Sequence, residues 1–140
     1  MAIRRMFSRQ TVQNDRFLAL SHGAQLLYFH LGMIADDDGF VDSTRLILAA
    51  TALRDRELEE LADNGFIYRW EDGVVLILDW LLNNRIRRDR HTPSLQLGRK
   101  CIMADEIGRY VVVNAADAAP GDAAAVQAAL QPGEEGPAPG

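Results

Sequence analysis

Three helical segments and a β-hairpin signal follow one another between Ser21 and Leu78. The first segment begins after Ser21, a residue type that caps helix N-termini. Its apolar residues recur at intervals of three and four, the period of an amphipathic helix; they are Ala24, Leu27, Tyr28, Leu31, Ile34 and Ala35. Leu26, Phe29 and Met33 widen that apolar face, so we expect this helix to be the buried centre of the domain.

A turn and a short strand separate the first helix from the second. Asp36-Asp37-Asp38-Gly39 has the residue types of a turn, and Phe40-Val41 predicts a very short strand after it. Three acids in a row also raise the hypothesis of a metal site. Calcium loops, however, space their acids at alternate positions and finish on a distant Glu. We therefore predict a turn here and no metal site.

The second and third helices are joined by a brief break at residues 51–53. Asp42 or Ser43 is the candidate cap of the second helix and Asp55 that of the third, which we expect to stop at Gly65. The apolar residues of the two helices are Leu46, Ile47 and Ala50, then Leu58, Leu61 and Ala62. Two helices joined by a short turn form a helix-turn-helix unit.

Two β-rich runs, 66–69 and 74–78, flank Asp72-Gly73, and Asp-Gly is a strong hairpin signal. We predict an α+β winged helix-turn-helix, in which three helices form the core, the hairpin is the wing and Phe40-Val41 adds a third strand. The winged-helix domain covers 1–94, and a basic linker with room for a short strand covers 95–114. Residues 115–140 are rich in Ala, Gly, Pro and acids, which predicts a flexible, disordered tail.

Positive charge is concentrated in one strip. The chain carries −5 in total, whereas residues 85–100 carry +5 and the segments on either side carry −5 each. A phosphate backbone responds to the field within a Debye length, roughly 8–10 Å, so the strip favours nucleic acid; the competing interpretation is a solvated charged face. The candidate DNA-binding residues are Arg54, Arg56, Arg69, Arg85, Arg87, Arg88 and Arg90.

The acidic residues of the third helix argue against its simple insertion into the major groove. Helix-turn-helix proteins usually place this helix in the major groove, but here four acids follow Arg54 and Arg56. In one hypothesis only the arginine end contacts DNA, and in another the wing, with Arg69, and residues 85–90 do most of the binding. In the third hypothesis the acidic helix binds a protein, and the candidate partner-binding residues are Glu57 and Glu60.

No catalytic signature is present in the sequence. It has no glycine-rich phosphate loop, nucleophile elbow or paired-carboxylate motif, and Cys101 and the three histidines lack the spacing of ligands. We expect no enzymatic activity, no catalytic residue, no metal and no cofactor. A single cysteine, no apolar run of roughly 18 residues and no signal-peptide pattern predict a cytoplasmic protein without a membrane partner.

Five segments together resemble one family, and they are residues 5–9, 15–18, 25–33, 35–41 and 79–90. From about residue 3 to 94 the chain resembles the N-terminal winged-helix domain of phage and prophage replisome organisers, related to DnaD-like replication initiation proteins. The resemblance implies binding to duplex or single-stranded DNA at an origin or primosome, self-association and contact with host replication proteins. The alternatives are a protein-interaction or oligomerisation module and a winged-helix transcriptional regulator, because the fold alone does not separate them.

Overall fold

The structure is a computed structural model that describes residues 4–84 and 89–113. The predicted tail at 115–140 lies outside these residues, and so do Arg85, Arg87 and Arg88 of the basic strip. No helix in the described ranges is long and apolar enough to cross a bilayer.

Helices occupy the first two thirds of the described chain, and strands are interspersed from residue 40 onward. The α-helices are α1 (Arg9–Val12), α2 (Asp15–Leu18), α3 (His22–Ile34), α4 (Thr44–Thr51), α5 (Asp55–Asp63) and α6 (Trp80–Asn83), and Leu97–Cys101 is a 3₁₀-helix. The strands are β1 (Phe40–Val41), β2 (Ile67–Arg69), β3 (Val75–Ile77), β4 (Ile102–Ala104) and β5 (Tyr110–Val112).

Helix α3 begins where the sequence predicts, but only one of its faces is covered. The Ser21 hydroxyl accepts a hydrogen bond from the Ala24 N–H at 3.1 Å, which caps the helix. Leu26, Phe29 and Met33 are 46%, 36% and 55% exposed. The expectation that they extend the buried face is therefore wrong, and α3 presents apolar side chains to solvent. The fully buried residues are Ala24, Leu27, Tyr28 and Leu31.

Helices α4 and α5 lie where the sequence predicts the second and third helices, but Asp55 is the first residue of α5 and not its cap, a position that Arg54 takes. Helix α4 ends at Thr51, and the left-handed φ of 57° at the next residue, Ala52, turns the chain toward α5. Gly65, with φ 78°, follows the end of α5, as its sequence position predicts. Leu46 of α4 is 72% exposed, so it is not a core residue; Ile47 and Leu48 pack against the core instead.

The predicted three-stranded sheet is present, in the order β1-β3-β2 and antiparallel throughout. Val75 lies opposite Val41 on one side and Arg69 on the other. The turn between β2 and β3 closes at Gly73, whose N–H donates to the Trp70 carbonyl at 3.1 Å. The turn requires φ 90° at Gly73, a value that glycine adopts without strain.

The chain after residue 94 covers the second face of this sheet. Trp70 stacks on Phe40 with 5.7 Å between ring centroids. Gly98 of the 3₁₀-helix lies so close to the Trp70 ring that a Cβ would be 2.8 Å from it. Because side chains cover both faces of the sheet, all three residues of β3 are buried.

Strands β4 and β5 form a separate antiparallel hairpin whose side chains join the main core. Ile102 is fully buried and Tyr110 is 2% exposed, and both belong to the same cluster as the residues of α3 and β3. The Tyr110 N–H donates to the Leu78 carbonyl at 2.9 Å. The segment 95–114, which we expected to be a linker with a short strand, contributes two strands and core residues as far as Val112.

Two glycines in turns allow a matched test of this packing. Gly39 has φ 93° and a Cβ there would lie 2.6 Å from Trp80 Cγ, whereas Gly73 has φ 90° and nothing within 4 Å. Gly39→Ala should lower the free energy of unfolding by at least about 3 kcal/mol, from backbone strain plus overpacking. Gly73→Ala should cost only the strain, about 1–2 kcal/mol. Equal losses in urea denaturation would contradict this packing around Trp80.

Candidate nucleic-acid interface

Three of the predicted DNA-binding arginines come together at the N-terminal end of α5. Arg54 is the residue before the helix, and Arg56 lies in its first turn with a side chain that is 80% exposed. Arg69 reaches the same place from β2, because its guanidinium lies 2.7 Å from the carboxylate of Asp55. The N-terminus of a helix also carries partial positive charge, so this end of α5 is suited to an anion.

Glu57, predicted to bind a partner, is instead folded onto the start of its own helix. Its carboxylate accepts hydrogen bonds from the Arg54 backbone N–H at 2.9 Å and from Arg56 Nε at 3.0 Å. The bond from Arg56, followed by that from the Arg54 backbone, lowers the pKa of Glu57. Glu57 is 7% exposed and packs against Gly23 of α3. It therefore stabilises the helix end and offers no free carboxylate to a partner.

Glu60, the other acid predicted to bind a partner, connects α5 to the start of α3. Its two carboxylate oxygens accept hydrogen bonds from the backbone N–H and the hydroxyl of Ser21, each at 2.7 Å. The Ser21 hydroxyl in turn caps α3, so the two helices share one capping arrangement. The exposed acids of α5 are Asp55, Glu59 and Asp63.

The basic strip divides into parts with different surroundings. Arg90 is exposed, which leaves it available to a phosphate. Arg99, at the far end of the strip, donates from Nε to Asp38 at 3.2 Å and is largely covered. The strip therefore contributes fewer free charges than its sequence implies, and the positions of Arg85, Arg87 and Arg88 lie outside the described residues.

A cluster of carboxylates in the turn before β1 anchors the segment that follows Arg90. His91 Nε2 lies 2.6 Å from Asp38 Oδ1, and both side chains are nearly buried. The Ser94 N–H donates to the other oxygen of Asp38 at 2.7 Å, and the Thr92 N–H donates to Asp37 at 2.9 Å. No sequence pattern links these positions, and we did not predict the contact.

Asp36 completes this cluster from inside the turn. Its carboxylate accepts hydrogen bonds from the Asp38 and Phe40 N–H groups, each at 3.0 Å, and from the Ser94 hydroxyl at 2.5 Å. Burial raises the pKa of Asp36, although these hydrogen bonds act in the opposite direction. Across 4–84 and 89–113, no group of three or more His, Cys, Asp or Glu is arranged to hold a metal ion.

Comparisons with known proteins add no relative to this picture. The chain matches no protein-family model, no curated protein and no solved structure. The resemblance to replisome organisers therefore stays a prediction from the sequence.

Substitution of Asp38 tests the anchoring of the segment 91–99. Asp38→Ala leaves His91 and Arg99 without their carboxylate and should lower the free energy of unfolding by about 3 kcal/mol. Amide hydrogen exchange should accelerate over the segment 91–99 first. Asp42→Ala is the control, because Asp42 is exposed and, within 4–84 and 89–113, its carboxylate accepts one side-chain hydrogen bond, from Gln96 at 3.3 Å. Its effect should stay within about 0.5 kcal/mol. Similar exchange in both variants would contradict the anchoring role.

Proposed function

We propose that this chain is a winged-helix DNA-binding module of a phage or prophage replication initiation protein. The single observation that carries the proposal is the convergence of Arg54, Arg56 and Arg69 at the exposed N-terminal end of α5. Duplex DNA presents a dense row of phosphates, and arginine is well suited to bind them.

The order of elements supports a winged helix. Helices α4 and α5 form the helix-turn-helix pair, and β2 and β3 form a hairpin directly after it. The Thr44 hydroxyl at the start of α4 donates to the Gly73 carbonyl at 3.2 Å, which fixes the hairpin turn beside this helix. In winged helices the second helix of the pair and the wing face the same stretch of duplex, and here both contribute arginines.

The acids of α5 limit how the helix approaches DNA. Glu59 and Asp63 are exposed along its length, so insertion of the whole helix into a groove would bring them close to phosphates. We infer that α5 contacts the duplex with its N-terminal end only. Phosphate contacts position a protein without reading sequence, so the affinity of the isolated module should depend weakly on DNA sequence.

A salt titration on duplex DNA tests this proposal. Each phosphate contact adds about 0.9 to the slope of log K against log salt, so Arg54→Ala/Arg56→Ala should lower that slope by up to about 2 and weaken binding to all sequences. Arg9→Ala removes an exposed arginine of α1 and serves as the control. A parent protein that fails to bind duplex at low salt, or a double variant with an unchanged slope, would overturn the proposal.

The basic strip is tested separately. Arg87→Ala/Arg88→Ala should also lower the slope by up to about 2 if the strip lies along the backbone. An unchanged slope would assign the strip to a solvated face and leave the α5 end as the interface. Single-stranded DNA of the same sequence, titrated in parallel, distinguishes the two nucleic-acid targets that the resemblance implies.

A second candidate function, self-association, is favoured by the outer face of α3. This 13-residue helix contains no Asp, Glu, Lys or Arg, and Leu26, Phe29 and Met33 follow one another along its exposed side. Interfaces between proteins are depleted of charged residues at their centres. Copies of a chain with a net charge of −5 repel one another, so an uncharged face is where a second copy can dock.

Sedimentation velocity over a concentration series tests self-association. If copies meet through α3, Leu26→Gln/Met33→Gln should convert the protein to a monomer, because it places polar groups where apolar side chains meet. Leu46→Gln is the matched control, since Leu46 is 72% exposed but lies on α4. A parent protein that stays monomeric at high micromolar concentration, or equal effects of the two variants, would exclude this interface.

A further inference from the structure

Two of the three arginines at the α5 end each hold a carboxylate: Arg56 holds that of Glu57, and Arg69 holds that of Asp55. Arg69 Nη2 donates to Asp55 Oδ1 at 2.7 Å, and Nη1 lies 3.5 Å from Oδ2. The Asp55 side chain is 67% exposed and that of Arg69 is 34% exposed. The pair therefore lies at the surface, next to Arg54 and Arg56, where the proposed function places DNA.

The two acids at the start of α5 have different tasks. The carboxylate of Glu57 accepts the Arg54 backbone N–H and so caps the helix. The carboxylate of Asp55, by contrast, directs both of its hydrogen bonds within the described residues to the Arg69 guanidinium. Loss of the charge on Asp55 would leave the cap formed by Glu57 intact, so Asp55 can be changed without dismantling the helix end.

A carboxylate and a phosphate present the same kind of acceptor to a guanidinium group. An ion pair exposed to water contributes little to stability and is screened by salt. A phosphate that arrives at the α5 end can therefore displace Asp55 from Arg69, but it must also approach the negative charge of Asp55. The competition for Arg69 and the repulsion by Asp55 both lower the affinity of the module for the DNA backbone.

We propose that Asp55 is an internal competitor of DNA phosphate, which occupies Arg69 in the free protein and limits the affinity of the module for duplex. This inference depends on the proposed DNA-binding function and adds a regulating residue to it. The rival explanation is that Asp55 positions Arg69 for DNA. The two explanations predict opposite signs, because a positioning residue would weaken binding when it is removed.

The test compares Asp55→Asn with Asp63→Asn. Both substitutions remove one negative charge from an exposed position of α5, but Asp63 is the last residue of the helix, at the opposite end from Arg69. Asp55→Asn should tighten duplex binding by about fivefold, the upper range for an exposed ion pair. It should also steepen the salt dependence by up to about 0.9, because Arg69 contacts a phosphate in a larger share of the complexes once Asp55 no longer competes. Asp63→Asn should tighten binding less and leave the slope unchanged.

The same pair of substitutions in an Arg69→Ala background completes the design. Without Arg69, Asp55→Asn should lose the part of its effect that comes from freeing Arg69 and keep only the part that comes from removing a negative charge near the phosphates. If the parent binds duplex through Arg54 and Arg56 but Asp55→Asn weakens binding or equals Asp63→Asn, Asp55 is not a competitor and the DNA-binding proposal stands. If the parent binds no duplex at low salt, the DNA-binding proposal itself fails.

Discussion

The turn formed by Asp36, Asp37 and Asp38 holds together parts of the chain that are far apart in sequence. Asp37 accepts a hydrogen bond from Arg5 at 3.0 Å in a pair that is almost fully buried. Its backbone carbonyl accepts the indole N–H of Trp80 at 2.9 Å. A buried carboxylate is stable only when such partners surround it, and removal of one partner leaves an uncompensated charge. These acids are therefore structural, and Arg5 and Arg99 offset part of their negative charge.

The N-terminal end of α5, the candidate interface, is linked to this turn through a series of contacts. Asp38 holds the segment that leads to the 3₁₀-helix, and within that helix Arg99 forms an ion pair with Asp38. Gly98 in that helix packs against Trp70, which directly follows β2. Trp70 lies at the turn end of the hairpin, where its N–H donates to the Val74 carbonyl, and Arg69, one residue earlier, meets Asp55. The position of the β2–β3 hairpin thus depends on chain segments on both sides of it.

Most of the local structure could be predicted because single residues determine it. Ser21 supplies the capping oxygen of α3, Gly65 ends α5, and Asp72-Gly73 makes the hairpin turn. The burial of α3 could not be predicted in the same way. Its apolar residues occupy both sides of the helix, so periodicity does not say which side faces the core. Leu26 and Met33 turn out to be exposed, and only tertiary contacts decide this.

The candidate site could be predicted only in part, again because sequence signals give the positions of residues but not the tertiary contacts of their side chains. The order of residues in the sequence places arginines before and within the first turn of α5, and the predicted hairpin brings Arg69 near them. The roles of Glu57 and Glu60 depend instead on side-chain direction, which follows from what lies beside the helix. Glu57 faces Gly23, where there is no side chain to exclude it, and Glu60 reaches Ser21. Helix α5, which is acidic in sequence, therefore presents fewer free carboxylates than its composition implies.

The shape of the proposed DNA contact follows from where negative charge remains. The tip of the hairpin carries Glu71 and Asp72, both exposed, so the tip is repelled by phosphates. The exposed side of α5 carries Glu59 and Asp63 and is repelled as well. Positive charge remains between these two surfaces, at the helix end and at Arg69, the last residue of β2 before the hairpin turn. A contact confined to that region spans only a short stretch of one backbone, which favours phosphate binding over base reading. Any sequence preference of the whole protein would then have to come from chain segments other than α5.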